Sequence, residues 1–167
     1  VKAQLVIPAA GMGRRLDAPL PKALVRIVDA PLLVHTLRRF QTVNLTGPTL
    51  VLYPEGWRET FEAELAAHDL VERVELVVGG AERQDSVRIG IEALDAATEV
   101  VAVHDAARPF VSPVSVRHCL EEAYEYSAAT VAIPAVDTIL QVSEDGFLEH
   151  TPDRARMWAC QTPQAFR

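Results

Sequence analysis

The sequence predicts an α/β fold built on a mostly parallel sheet, and three observations carry that prediction. Five short apolar, β-branched runs recur along the chain. Segments with apolar residues at helical spacing separate most of them. Most of the runs are continuously apolar rather than alternating, as strands are when helices cover both faces of a parallel sheet.

The first strand is expected over residues 4–8, and a glycine-containing loop follows it directly. In "DAPLLVHTLRRFQTV", Pro31 is placed to fill the first helical position, with Leu33, Leu37 and Phe40 on one face. Strands are then expected over 49–53 and 74–78. In "RQDSVRIGIEAL", Val87, Ile91 and Leu94 line one side of a helix. A fourth strand is expected over 100–104. In "SPVSVRHCLEEAYEY", Ser112 caps a helix opened by Pro113, with Val116, Leu120 and Tyr124 facing inward. A fifth strand is expected over 130–136. Beyond it the pattern loosens, and Glu144-Asp145-Gly146 is a turn signal between two extended segments. A β-hairpin arm over about 137–158 is predicted to project from the sheet, followed by an irregular return without a closing helix or strand.

At 167 residues the chain is expected to form a single domain spanning 1–167. Hydrophobic residues make up 49% and charged residues 23%, the balance of an ordinary globular protein. No apolar run reaches the ~20 residues of a membrane span, and no signal-peptide pattern opens the chain. The chain begins at Val1. Cys119 and Cys160 form no CxxC pair and have no histidines at zinc spacing, which predicts two buried, reduced thiols in a cytoplasmic protein. Charge is unevenly spread: residues 1–28 carry a net +4 and residues 55–99 a net −8. One basic patch on an acidic chain argues against general nucleic-acid binding and suits a small polyanion.

In a parallel sheet, ligands bind beyond the carboxyl ends of the strands. The first such end reads "AAGMGRR", and "PLPK" follows it. A dinucleotide fingerprint would need a third glycine where Leu16 stands, and a Walker A loop would need Gly before Lys22 where Pro21 stands. Neither motif is present. What remains is a loop whose glycines expose backbone N–H groups, with Arg15 able to fork two phosphate oxygens and Lys22 offering a compact charge. The plainer reading is a glycine turn with solvated cations. At the third strand end, "VVGGAERQDSV" brings Gly79, Gly80 and Ser86, which can read a flat base by shape and hydrogen bonds, or merely start a helix. At the fourth, "VVAVHDAARPF" delivers Asp105 and Arg108. A carboxylate there can hold Mg²⁺ together with substrate phosphates, or it can pair with Arg108 to close the loop. His104 reads as a structural hydrogen-bonder. The arm supplies Thr138 and Arg154; arms of this kind lack a core and commonly bury themselves on another subunit.

In order, "PAAGMGRR", "PLPK", "GGAERQDSV", "HDAARPF", "DT" and "DRARMWACQTPQAF" resemble the pattern of the 2-C-methyl-D-erythritol 4-phosphate cytidylyltransferase family over essentially all 167 residues. The resemblance implies a Rossmann-like nucleotidyltransferase sheet and transfer of a cytidylyl group from CTP to a polyol phosphate, with Mg²⁺. By the same resemblance, Arg15 and Lys22 contact the CTP phosphates and stabilise the charge on the attacked phosphorus. Ala9, Ala10, Gly11, Gly80, Ala81 and Ser86 line the cytidine pocket. Asp105 binds Mg²⁺, with Ala106 and Arg108 near the ribose and second substrate. Thr138 and Arg154 grip methylerythritol phosphate across a homodimer interface made by the arm. Ala81 departs from the polar or acidic residue common there, so only its backbone can serve. Related chains continue past "QTPQAF" with a further threonine, a lysine, a helix and a strand, so the chain reads as truncated at its C-terminus. Ribitol 5-phosphate cytidylyltransferases share most of these motifs, and a non-catalytic CTP-binding relative is the alternative from another class.

Overall fold

The computed structural model describes residues 1–13 and 19–167, and strand and helix alternate over most of them. The first half holds β1 (Ala3–Pro8), β2 (Arg26–Ile27), β3 (Ala30–Pro31), α1 (Leu32–Phe40), β4 (Thr49–Tyr53), α2 (Arg58–Ala67) and β5 (Val74–Val78). The second holds α3 (Arg83–Glu92), β6 (Val100–Val103), α4 (Pro113–Tyr126), β7 (Ala128–Pro134), β8 (Gln141–Val142), β9 (Leu148–His150) and β10 (Trp158–Phe166).

Six strands form one sheet in the order β5-β4-β1-β6-β10-β7. The pairs β4–β5, β1–β4 and β1–β6 are parallel, while β10 runs antiparallel to both β6 and β7. The expectation of a mostly parallel α/β sheet holds. Side chains alternate across β1, and both faces are covered, which is why its sequence is apolar apart from Gln4, whose buried side chain is hydrogen-bonded to Pro48 O, Asp95 N–H and Thr98 Oγ1. Leu5 and Ile7 join a large core with Leu33, Leu37 and Phe40 of α1, Phe61 and Leu65 of α2, and Val116 and Leu120 of α4. Val6, one residue between them, joins Leu50, Leu52 and Val103 on the other face, covered by Val87, Ile89 and Leu94. There α3 approaches closely: a Cβ on Gly90 would lie 2.6 Å from Val6 Cγ1 and 3.1 Å from Leu52 Cδ2.

Several local expectations are corrected. Pro31 is the extended residue before α1, with φ −60° and ψ 153°, and the helix opens at Leu32. Ile91 is exposed, because the face that meets the sheet is centred on Gly90 and Ile91 lies a step round the helix. Tyr124 is also exposed; the buried stripe of α4 runs through Val116, Cys119, Leu120 and Ala123 and ends one residue short of it. Helix α2 was not foreseen, although Phe61 and Leu65 stand four apart and are both buried. Ser112 occupies the N-cap position of α4 before Pro113, but its side chain makes no capping hydrogen bond.

The largest correction concerns the chain end. The segment expected to be an irregular return is β10, a nine-residue strand inserted between β6 and β7. Its register shifts between Cys160 and Gln164, an irregularity that accommodates Pro163 and its missing N–H. Residues before that shift pair with β7 alone, since contact with β6 begins at Gln164. Cys160 is therefore exposed, against expectation, while Cys119 is buried. The hairpin arm is present as β8 and β9, a separate two-stranded sheet that turns at Gly146 with φ +83°. Among the described residues, no helix is long and apolar enough to cross a membrane.

Candidate active site

From β1 the chain moves outward to β4 and β5 on one side and returns to β6 on the other. The carboxyl ends of β1 and β6 thus diverge at a topological switch point, where open α/β sheets form their ligand crevice. The loops after β1, β5 and β6 all open at this edge, and each carries residues singled out by the sequence.

The loop after β1 is held at both ends. The Ala9 N–H donates to Leu52 O at 2.8 Å, and the Lys22 N–H donates to Gly11 O at 3.1 Å. Gly13 has φ +62°, and a Cβ there would lie 3.1 Å from Lys22 Cβ. Pro21 before Lys22 is buried, as are Ala23 and Leu24 after it, so the Lys22 backbone is fixed while its side chain is exposed. Arg15, the other expected phosphate ligand, lies outside the described residues.

The loop after β5 packs directly on this one. A Cβ on Gly79 would lie 2.7 Å from Ala10 Cβ and 2.9 Å from Ser86 Oγ; one on Gly80 would lie 2.3 Å from Asp85 Cβ. Only glycine admits this approach. Ser86 is buried, and its Oγ accepts the Gly80 N–H at 3.0 Å, leaving its own hydroxyl proton to donate. Ala9, Ala10, Gly11, Gly80 and Ser86 therefore lie together on adjoining loops at this edge, and Ala81 is exposed.

The loop after β6 carries most of the charge. Asp105 Oδ1 accepts from Arg83 Nε at 3.1 Å and Nη2 at 2.9 Å, and Oδ2 accepts from Arg108 Nε at 3.0 Å. Arg108 Nη1 also donates to Gln161 Oε1. Burial works to raise the Asp105 pKa, but the two guanidiniums outweigh it and hold the carboxyl below its ordinary value. Beneath lies a closed chain of hydrogen bonds. His104 Nε2 is 3.1 Å from Arg108 O, so it must carry the proton and donate. Its Nδ1 then accepts from Thr162 Oγ1 at 3.0 Å, and that oxygen accepts the Asp105 N–H at 3.2 Å. Burial pushes the His104 pKa down and keeps the ring neutral. Ala106 is buried, its carbonyl accepting from Thr36 Oγ1 at 2.8 Å. A cleft of about 490 Å³ opens beside this loop, with Arg108, Phe110, Gln161 and Thr162 in its lining.

Arg83, Gln161 and Thr162 had not been singled out as site residues. Arg83 directly follows the glycine loop, a position that could have marked it; Gln161 and Thr162 reach the site only through the pairing of β10 with β6. Thr138 and Arg154 are exposed on the arm, and Arg154 Nη1 donates to Val136 O at 2.9 Å. Among the described residues, no hydrogen bond or ion pair joins either of them to Lys22, Asp105 or Arg108.

The donor set allows a test for Mg²⁺. Among the described residues no three potential ligands cluster, so the protein offers no cage of its own. Asp105 remains an anion, and three hydrogen bonds occupy three of its roughly four lone-pair positions. One carboxylate position at a strand end suits an ion bound chiefly by substrate phosphates.

Comparison with known proteins agrees with this geometry. Residues 3–167 match the family model described as IspD: 2-C-methyl-D-erythritol 4-phosphate cytidylyltransferase. The Bacillus velezensis enzyme of that name is 42% identical over 163 residues, which are 98% of this chain and 69% of the relative. The Syntrophus aciditrophicus enzyme is 38% identical over 99% of this chain and 71% of its own length. The crystal structure of 4-diphosphocytidyl-2C-methyl-D-erythritol synthase from Anaerococcus prevotii superposes with a TM-score of 0.85 at 26% identity, covering 99% of this chain and 69% of that one. The cytidylyltransferase structure from Thermus thermophilus gives 0.74 at 31% identity, covering 99% and 70%. The family-model match over residues 3–167, this extent of identity and the shared sheet lead to one conclusion: the chain belongs to the 2-C-methyl-D-erythritol 4-phosphate cytidylyltransferase family.

Proposed function

We propose that this protein transfers a cytidylyl group from CTP to 2-C-methyl-D-erythritol 4-phosphate, releasing pyrophosphate. The observation that carries the reading is the meeting of the Lys22 loop, the Gly80–Ser86 loop and the Asp105–Arg108 loop at one switch point, in a chain of this family. The base faces the glycine-lined floor, where Ser86 can donate a hydrogen bond. The triphosphate lies toward Lys22, with Arg15 as its expected second cation. The phosphate of the acceptor attacks the α-phosphorus in line, the phosphorus–oxygen bond to pyrophosphate breaks, and the pyrophosphate leaves as an anion. The nucleophile is already anionic, so no general base is needed. A neutral His104 with both ring nitrogens engaged accords with that. The cleft beside Arg108 has room for a small polyol phosphate.

Asp105 would hold Mg²⁺, which would supply positive charge to offset that of the triphosphate. The protein's own part is to position both substrates and to place cations where charge builds. The arm is proposed to dock on a second copy, since Phe147 and Val136 are 75% and 81% exposed with no core of their own to enter. Docked there, Thr138 and Arg154 would serve the neighbour's acceptor site.

Pyrophosphate release by the full chain with CTP tests the reading, with methylerythritol phosphate and ribitol 5-phosphate offered in parallel. Release with methylerythritol phosphate alone is expected. Release with ribitol 5-phosphate alone would move the acceptor to the sister activity, and CTP binding without release from either would mark a non-catalytic relative.

A further inference from the structure

Arg83 has no role in the transfer as described, yet it sits on the carboxylate at the centre of the site. It opens α3, in a different loop from Asp105, and both its Nε and its Nη2 donate to Oδ1. Arg108 takes Oδ2. Two guanidiniums on one carboxylate leave this spot positively charged before any ligand arrives. A divalent cation approaching Asp105 is repelled by both.

The two arginines are held differently. Arg108 is tied into its own loop: its N–H donates to Asp105 O at 3.1 Å, its carbonyl accepts from His104, and its guanidinium also reaches Gln161. The Arg83 side chain is 52% exposed, and among the described residues its hydrogen bonds are the two to Asp105 Oδ1. Arg83 is thus the partner that can leave with least disruption. A triphosphate entering between the loops offers it a stronger, multiply charged acceptor.

We propose that Arg83 is a positioning residue that keeps Asp105 unreceptive to a divalent cation until a polyphosphate draws the guanidinium away, so that metal and nucleotide bind together. The nucleotide half of this inference rests on the cytidylyl-transfer reading. The metal half concerns Asp105 and its two arginines in the nucleotide-free protein.

Electron paramagnetic resonance titration of Mn²⁺ alone into nucleotide-free protein tests it, with wild type, Arg83→Gln, Arg83→Lys and the double variant Arg83→Gln/Asp105→Asn. Removing the charge should tighten Mn²⁺ binding about tenfold or more, the scale on which one adjacent charge shifts proton affinity at a carboxylate. Arg83→Lys keeps the charge and should stay near wild type, whereas the double variant should lose the gain. A merely structural role would loosen the site or leave it unchanged. Equal or weaker Mn²⁺ binding in Arg83→Gln overturns the proposal, as does a gain that survives Asp105→Asn. Each variant's melting curve, expected to match wild type for this half-exposed side chain, confirms that folded protein is compared. CTP turnover is scored separately: a wild type without transfer defeats the functional reading, and the Mn²⁺ comparison still judges Arg83.

Discussion

Lys22 is fixed through its backbone and exposed at its side chain, an arrangement that gives a cation a defined place without burying it. Charge placed in advance where a transition state develops it contributes most when it need not reorganise. Lys22→Ala is expected to lower kcat roughly 10²–10³-fold, about 2.7–4 kcal/mol of transition-state stabilisation. Steady-state kinetics of the folded variant measure this, and a near-wild-type kcat would remove Lys22 from the chemistry. His104 makes a different prediction. Burial lowers its folded pKa, whereas the unfolded ring titrates near 6.5. Below about pH 6.5 the unfolded chain therefore binds a proton that the fold refuses, and stability falls until the folded pKa is reached. Denaturant midpoints between pH 8 and 5 should decline more steeply in wild type than in His104→Gln; parallel slopes would contradict the buried neutral ring. Gly80 and Asp105 were legible in the sequence because each stands just past the end of an apolar strand, and Lys22 because "PLPK" follows the glycine loop after the first. The contacts of Arg83 with Asp105 and of Thr162 with the Asp105 N–H were not, because these partners lie 22 and 57 residues apart and meet only in the fold.

Among the elements, the parallel strands were the most legible, since burial on both faces leaves an unbroken apolar run. Strand β10 was hidden because Gln161, Thr162, Pro163 and Gln164 interrupt any such pattern. Those polar residues are where β10 does its work: Thr162 carries the hydrogen bonds that hold the β6 loop, and Gln161 meets Arg108. The same conflict between local pattern and tertiary demand shows in α3, where Gly90 stands mid-helix at a cost of about 1 kcal/mol relative to alanine. Contact with Val6 and Leu52 explains it. Gly90→Ala should therefore destabilise despite the better helix propensity, by about 1–3 kcal/mol of overpacking less that gain. Urea unfolding reads the net sign; a stabilised variant would show that α3 can move off the sheet without loss.

For the whole molecule, the loops of the candidate site gather at one edge of the sheet, and the apolar arm leaves the sheet from the carboxyl end of β7 at that same edge. Phe147, Leu148 and Trp158 are 75%, 61% and 59% exposed, more apolar surface than a short two-stranded hairpin needs for itself. Sedimentation equilibrium should find a dimer for wild type and a shift toward monomer for Phe147→Asp; an unchanged mass distribution would exclude the arm from the interface. Arg154→Ala should then raise the KM for the acceptor more than that for CTP. The most direct measurement is the product itself: ³¹P nuclear magnetic resonance of CTP, Mg²⁺ and 2-C-methyl-D-erythritol 4-phosphate incubated with the full chain. Paired diphosphate resonances of 4-diphosphocytidyl-2-C-methyl-D-erythritol, growing together with pyrophosphate, are the predicted result. An unchanged substrate spectrum, under conditions where CTP binds, would contradict the assignment of cytidylyl transfer to this switch-point site.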